Sequence, residues 1–379
     1  MATHGLSRPL TLAAGSLLAA GVAAVAVAAL PSGSAGTQRG SAPDARSAAV
    51  ATGNSYRAVK LVADTPGEAR LTDPALVNAW GLAALPTTPL WVSDNGTDAS
   101  TLYQGATSEA PLSKVPLEVA IPGGGAPTGV VANPTTGFRL HTGGKHGPSL
   151  FVFAGEDGDI SAWNRTGDLT HAVRVAHTEG AVYKGLAVVK ERGHPFLLAA
   201  DFHGDRIDVF NDHFQRVHAP HAFADKRIPD GFAPFNVATL DGKVYVSYAK
   251  QDAHGEDDVA GAGNGFVNVY DQRGRFLDSL VRRGVLDSPW GLAVAPQGFG
   301  RFSGKLLVGN FGDGRIHVVD QRDGHVVATL RDSRGNPVVI DGLWGLLPGN
   351  GVAGRRSDVW FSAGPGDESH GLLGVLRPR

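Results

Sequence analysis

A chain of 379 residues with 34 Lys and Arg, 36 Asp and Glu and a formal charge of −2 has no broad positive field, which argues against nucleic acid as a partner. It contains no cysteine, so disulfides, thiol nucleophiles, thiolate metal sites and an acylated lipoprotein cysteine are excluded. The 52 glycines and a charged fraction of only 18% suit short strands joined by tight turns, because glycine reaches positive φ at little steric cost.

The first 35 residues differ in kind from the rest. His4 and Arg8 precede an apolar run, Leu10 to Leu30, broken only by Thr11, Gly15, Ser16 and Gly21, and Pro31-Ser32-Gly33-Ser34-Ala35 follows. Basic, apolar and small-residue segments in that order predict a secretory signal peptide, with cleavage after Ala35. The run is also long enough for an uncleaved membrane anchor. Its many alanines and glycines make it only mildly hydrophobic, which favours cleavage. Residues 36–54, rich in Gly, Ser, Ala and Thr without periodicity, predict a flexible linker. Residues 55–379 are then the folded body.

One unit repeats along that body. Each copy opens with a residue, then glycine, then a short apolar strand: Trp80-Gly81-Leu82, Thr128-Gly129-Val130, Lys184-Gly185-Leu186, Trp290-Gly291-Leu292 and Trp344-Gly345-Leu346. The fourth copy, Phe235-Asn236-Val237, replaces glycine with asparagine, the residue most tolerant of a glycine-like backbone. A second apolar strand follows and ends in polar or glycine residues, as in Leu90-Trp91-Val92-Ser93-Asp94 and Phe196-Leu197-Leu198-Ala199-Ala200-Asp201. A third strand alternates, as in Ile207-Asp208-Val209-Phe210, and a weaker fourth closes the unit, as in Val326 to Leu330. Six units of roughly 50 residues, each a four-stranded antiparallel blade, predict an all-β six-bladed propeller. Tyr56 to Asp64 is a spare strand before the first blade, and pairing it outside Leu372 to Leu376 would close the ring and remove exposed edges.

Asn78-Ala79-Trp80-Gly81-Leu82, Ser93-Asp94-Asn95-Gly96-Thr97, Ala200-Asp201-Phe202-His203, Ala233-Pro234-Phe235-Asn236, Gly309-Asn310-Phe311-Gly312-Asp313-Gly314 and Gly342-Leu343-Trp344-Gly345-Leu346 together resemble an uncharacterised family of exported bacterial β-propeller proteins. The match runs from about Tyr56 to Leu376. It implies export and a propeller, and no activity. More loosely the repeat is similar to NHL-repeat and lactonase-type six-bladed propellers, a likeness of fold that transfers no catalytic residue.

Strand starts and second-strand ends converge on one face of such a ring, around the channel mouth. Trp80, Thr128, Phe235, Trp290 and Trp344 would form an inner ring there, as a stacking platform for a flat ligand or as packing between blades, the preferred reading. Asp94, Glu156, Asp201 and Asn310 offer hard oxygen ligands for Ca2+ or Mg2+, although turn chemistry explains most of these acids and amides at strand ends individually and is the preferred reading. Lys184, the one cation of the inner ring, and His203 are the candidates for acid–base or nucleophilic work, against a plain ion pair and an exposed imidazole. The acidic insertion Gln251 to Gly265 matches no EF-hand spacing and reads as a solvated loop over the mouth. Gly143-Gly144-Lys145 lacks the remainder of a phosphate loop, and no G-x-S-x-G elbow occurs.

The expectation from sequence is a secreted, monomeric binding module for an extracellular small molecule, glycan or protein, touching a membrane only through an uncleaved N-terminal segment. The alternative is a metal-dependent, lactonase-like hydrolase with its site at the same mouth.

Overall fold

In every repeat the first strand runs antiparallel to the second, and the register brings the start of one beside the end of the other: Ala79 with Asp94, Pro127 with Gly155, Tyr183 with Asp201, Phe232 with Lys250, Pro289 with Asn310 and Leu343 with Ala363. These pairs appear in a computed structural model that describes residues 55–379 apart from Gly143. The expected signal peptide and linker, residues 1–54, lie outside the described residues. Among the described residues no helix is long and apolar enough to cross a membrane.

Six sheets form the ring. Blade one is built from Ala79–Ala83, Leu90–Asp94, Ala99–Gln104 and Ser113–Ala120, and blade two from Pro127–Ala132, Phe151–Gly155, Asp159–Trp163 and Val173–His177. Blades three, four and five repeat the same order from Tyr183, Phe232 and Pro289. Blade six takes its first three strands from Leu343–Pro348, Val359–Ala363 and Leu372–Pro378, and its fourth from the other end of the described chain, Tyr56–Ala63. That strand pairs antiparallel with Leu372–Pro378 through a bulge between Lys60 and Val62, so the edge of the last blade is covered by the first strand of the fold. Tyr56 fixes its far end by donating its hydroxyl to the Phe299 carbonyl at 2.9 Å.

Apolar residues alternate along the strands and so emerge on both faces of each blade, where they meet the next blade. The buried apolar side chains accordingly fall into six clusters, one between each neighbouring pair of blades, and a seventh in the centre. Between blades one and two, Trp91 stacks on Phe151 at 4.2 Å and tilts against Trp163 at 4.7 Å.

The repeat's glycine has a different cause from the one its sequence context implies. None of Gly81, Gly129, Gly185, Gly291 and Gly345 has a positive φ, and neither does Asn236. These residues lie where the first strands of neighbouring blades come closest. A Cβ at Gly129 would stand 2.7 Å from the Leu186 nitrogen, and one at Gly291 would stand 2.8 Å from the Trp344 carbonyl oxygen. Backbone cannot yield as a side chain tip can, so a methyl group there is excluded by contact. Asn236 is tolerated because its amide bridges inward: Nδ2 donates to the Trp290 carbonyl at 2.8 Å, and its side chain fills the space that Gly185 leaves open.

Blade two carries an insertion, a hairpin of Arg139–Thr142 and Lys145–Pro148 between its first and second strands. The hairpin stands at the end of the first strand, on the face opposite the channel mouth.

Candidate functional site at the channel mouth

Four of the inner-ring residues, Trp80, Phe235, Trp290 and Trp344, pack together into a plug. Trp80 and Trp344 stack with ring centroids 3.7 Å apart, Phe311 stacks on Trp344 at 3.8 Å, and Trp290 meets Trp344 edge-on at 5.9 Å. Phe235 tilts against Trp344 at 5.8 Å, and Trp80, Phe235, Trp290 and Trp344 are all nearly or fully buried. Thr128 is buried as well and donates its hydroxyl to the Tyr183 carbonyl at 2.6 Å. The first strands of the blades therefore converge on a floor of aromatic rings, with Phe311 alone partly open to solvent.

Above this floor a polar network runs around the mouth. Trp344 Nε1 donates to Asn78 Oδ1 at 3.0 Å, and Asn78 Nδ2 donates to Glu368 Oε2 at 2.6 Å and to Asn95 Oδ1 at 3.0 Å. Asn95 Nδ2 donates in turn to Glu156 Oε2 at 3.0 Å. The other oxygen of Glu156 takes the Lys184 ammonium, which also reaches Asp257 at 3.3 Å and stands over the Trp80 ring, 5.3 Å from its centroid. Each member comes from a different place along the chain: Glu368 from blade six, Asn78 and Asn95 from the mouth end of the blade-one strand pair, Glu156 from blade two, Lys184 from blade three and Asp257 from the acidic insertion of blade four. Asn78 holds its place with φ at 46°, in the left-handed region that asparagine tolerates best among residues with a Cβ. Trp290 Nε1 also has an acceptor, the Lys184 carbonyl at 3.0 Å, whereas the buried Trp80 Nε1 has none.

The charges in this network perturb one another. The Lys184 side chain is 2% exposed, and burial works against its charge, yet the carboxylates of Glu156 and Asp257 outweigh that and hold its pKa above the ordinary lysine value. Lys184 is thus a charged, fully partnered ammonium. Burial pushes the Glu368 carboxyl up to about 6; the Asn78 hydrogen bond opposes the rise and the Glu156 charge adds to it. Asp258 is likewise pushed up to about 6 by burial, against the Ser288 hydroxyl and the Lys184 charge.

The acidic insertion is held in shape. Asp252 Oδ1 accepts the backbone N–H groups of His254 at 3.1 Å and Glu256 at 3.0 Å, and Gln251 Nε2 donates to the Phe202 carbonyl at 2.6 Å. These bonds set Asp257 over Lys184. His203 lies exposed beside the same turn, where a Cβ on Gly255 would be 3.3 Å from its Nδ1.

Of the four oxygen ligands anticipated for a hard cation, only Glu156 joins the network. Asp94 is fully buried and accepts the Thr101 N–H at 2.8 Å within blade one, and burial holds its carboxyl well above the usual range. Asp201 accepts the N–H groups of Gly204 at 2.9 Å and Val182 at 3.2 Å and pairs with Arg206 in blade three. Asn310 donates to the Val285 carbonyl at 2.8 Å and to Asp313 at 3.0 Å in blade five. Each of these three bonds to backbone near its own strand end and stands apart from the network. Among the described residues no group of three or more His, Asp or Glu side chains is arranged to hold a metal ion. The residue that sequence reading passed over is Asn78, the hub that ties the aromatic floor to the carboxylates. Its signal was position, directly before the Ala-Trp-Gly entry of blade one.

No family model matches the chain. A solved glucose dehydrogenase superposes with a TM-score of 0.50 at 14% identity, over 79% of this chain and 96% of that one, a likeness of fold. Uncharacterized protein L690 of Acanthamoeba polyphaga mimivirus is 32% identical over 316 residues, 80% of this chain and 81% of the relative. Uncharacterized protein R648 of the same virus is 31% identical over 324 residues, 83% and 78% of the two chains. These relatives are viral, so the bacterial and exported character implied by the sequence resemblance finds no support in them, while the six-bladed propeller stands. The chain belongs to the family that these two mimivirus proteins represent.

Proposed function

We propose that this protein is a ligand-binding propeller that works outside the cell and takes an organic cation, an ammonium or guanidinium group, at the mouth of its channel. The observation that carries this reading is the balance of charge in the network. Glu156, Asp257 and Glu368 gather around one ammonium, Lys184, three negative charges against one positive when all are ionised. A surface of that sign repels anions and raises the local concentration of cations. The partly exposed Phe311 ring adds an aromatic face of the kind that cations favour. Lys184, protonated and paired, offers no free amine for nucleophilic chemistry, which favours binding over covalent catalysis. The extracytoplasmic setting rests on the order of basic, apolar and small residues from His4 to Ala35.

Calorimetric titration with N-acetyl-lysine amide, N-acetyl-arginine amide and spermidine, beside N-acetyl-glutamate amide, tests the reading. Cation binding that weakens at least fivefold in Glu368→Gln and Asp257→Asn is expected. Preference for the glutamate derivative would overturn it. So would hydrolysis of a lactone or phosphoester that stops on adding chelator, in favour of a metal-dependent hydrolase. N-terminal sequencing of protein recovered from the medium of expressing cells checks the setting, with Gly36 as the expected first residue.

A further inference from the structure

The hairpin inserted in blade two holds two imidazoles directly opposite each other. His141 and His146 are cross-strand partners in the antiparallel register of Arg139–Thr142 with Lys145–Pro148. Their Nδ1 atoms lie 2.6 Å apart, and the ring centroids 4.6 Å apart. At that separation only one of the two nitrogens carries a proton, and the other presents its lone pair to it. Both side chains are exposed. The contact is therefore not a product of core packing.

We propose that His141 and His146 form a chelating site for a divalent first-row transition metal of the zinc, nickel and copper group, on the face opposite the channel mouth. Imidazole nitrogen is the ligand these ions share, and directly opposed residues of an antiparallel pair have Cβ atoms close enough for both rings to reach one ion. Two nitrogens on a tetrahedral centre at roughly 2.0–2.1 Å stand about 3.3 Å apart, so exchanging the shared proton for a metal asks for a movement of under about 1 Å.

The base of the hairpin is rigid. Phe138 is fully buried against Phe214, its N–H donates to the Asp212 carbonyl at 2.9 Å, and its carbonyl accepts the Ser149 N–H at 2.8 Å. Asn133 Nδ2 ties the two arms together by donating to the carbonyls of Ser149 at 2.9 Å and Gly137 at 3.1 Å. A chelate whose frame is already ordered loses little entropy on binding.

His141 also lines a cavity of about 410 Å³ together with His194, His213 and Asp212, with Asp212 paired to His213 at 2.8 Å. Both imidazoles are exposed, so water fills the remaining coordination positions. Arg139 and Lys145 on the same hairpin oppose a cation, which sets the affinity below that of a closed structural site.

Titration of the untagged full chain with Zn2+ and Ni2+, and electron paramagnetic resonance of the Cu2+ form, tests the site. One ion per chain is expected, with two nitrogen ligands in the Cu2+ spectrum and binding at least tenfold weaker in His141→Ala and in His146→Ala. His325→Ala, an exposed histidine of blade five, is expected to bind as the parent does. Near-UV circular dichroism shows whether each variant is folded, and His146→Gln takes the place of any that is not. Undiminished binding in the folded hairpin variants, or fewer than one ion per chain at saturating metal, would overturn the proposal and leave the two rings sharing only a proton.

Discussion

Lys184 meets the Glu156 carboxylate with only 2% of its own side chain exposed, while Glu156 keeps 28% of its side chain in water. The pair is asymmetric: the cation is sealed under the mouth, and its partner remains half-solvated. Removing Glu156 is therefore expected to cost more than a surface pair would, about 3 kcal/mol, because the buried ammonium keeps only the exposed Asp257. The double variant Glu156→Gln with Lys184→Met removes both charges and is expected to recover most of that loss. Urea denaturation of the two single variants and the double variant measures the coupling, and additive losses would show the two groups to be independent.

The raised carboxyls make stability fall as pH rises. Glu368 has a folded-state pKa of about 6 against an ordinary 4.5, and Asp258 about 6 against 3.8. Between the unfolded and folded values the folded chain binds more protons, so the unfolding free energy drops as pH climbs from about 4 to 6. Glu368→Gln and Asp258→Asn are each expected to flatten that slope in thermal melts taken across the window. If the mouth takes a cation as proposed, its affinity is expected to run the other way and rise through pH 6 as Glu368 ionises, which titration calorimetry at pH 5 and 7 checks.

Contact, not backbone conformation, underlies the anchor glycines, and the two causes predict different outcomes at different positions. Gly129→Ala forces a methyl group within 2.7 Å of the Leu186 nitrogen and is expected to destabilise by about 3 kcal/mol, at the upper end of overpacking costs. At Gly193, with φ at 90° and nothing within 4 Å, alanine meets only backbone strain and is expected to cost about 1 kcal/mol. Chemical denaturation of the two variants compares them directly.

Closure of the ring depends on Tyr56–Ala63. A chain that starts at Thr65 leaves the Leu372–Pro378 edge unpaired and exposes Leu373 and Leu376, both buried in the closed ring. It is expected to aggregate or to lose its cooperative melt, whereas a chain that starts at Ser55 keeps both. Size-exclusion chromatography and a thermal melt of the two truncations check this.

The blades were legible because strand alternation, turn residues and a recurring glycine are local signals, repeated six times. The closing strand was legible too, since Tyr56 to Asp64 was left over once the blades were counted. The convergence of Trp80, Phe235, Trp290 and Trp344 followed from their shared place in the repeat. Their stacking into a closed plug did not, because ring orientation depends on neighbours some 50 or more residues away. The hairpin of His141 and His146 was hidden for a similar reason: H-T-G-G-K-H resembles a loop until the pairing of its arms is seen.

The sequence by itself determined the architecture, because a propeller is the one closed arrangement that buries both faces of six such sheets. It also named several of the residues that reach the channel mouth, Glu156 and Lys184 among them, but not Asn78. Only the tertiary structure decided which of them act together. Asp94, Asp201 and Asn310 end the second strands of their blades, at the place where blade two has Gly155, and each turns to nearby backbone. Glu156 turns to Lys184, because blade three alone places an ammonium beside it. A repeat encodes what all its copies share, whereas a site is made from the positions where the copies differ, and those differences acquire meaning only when the ring brings them face to face.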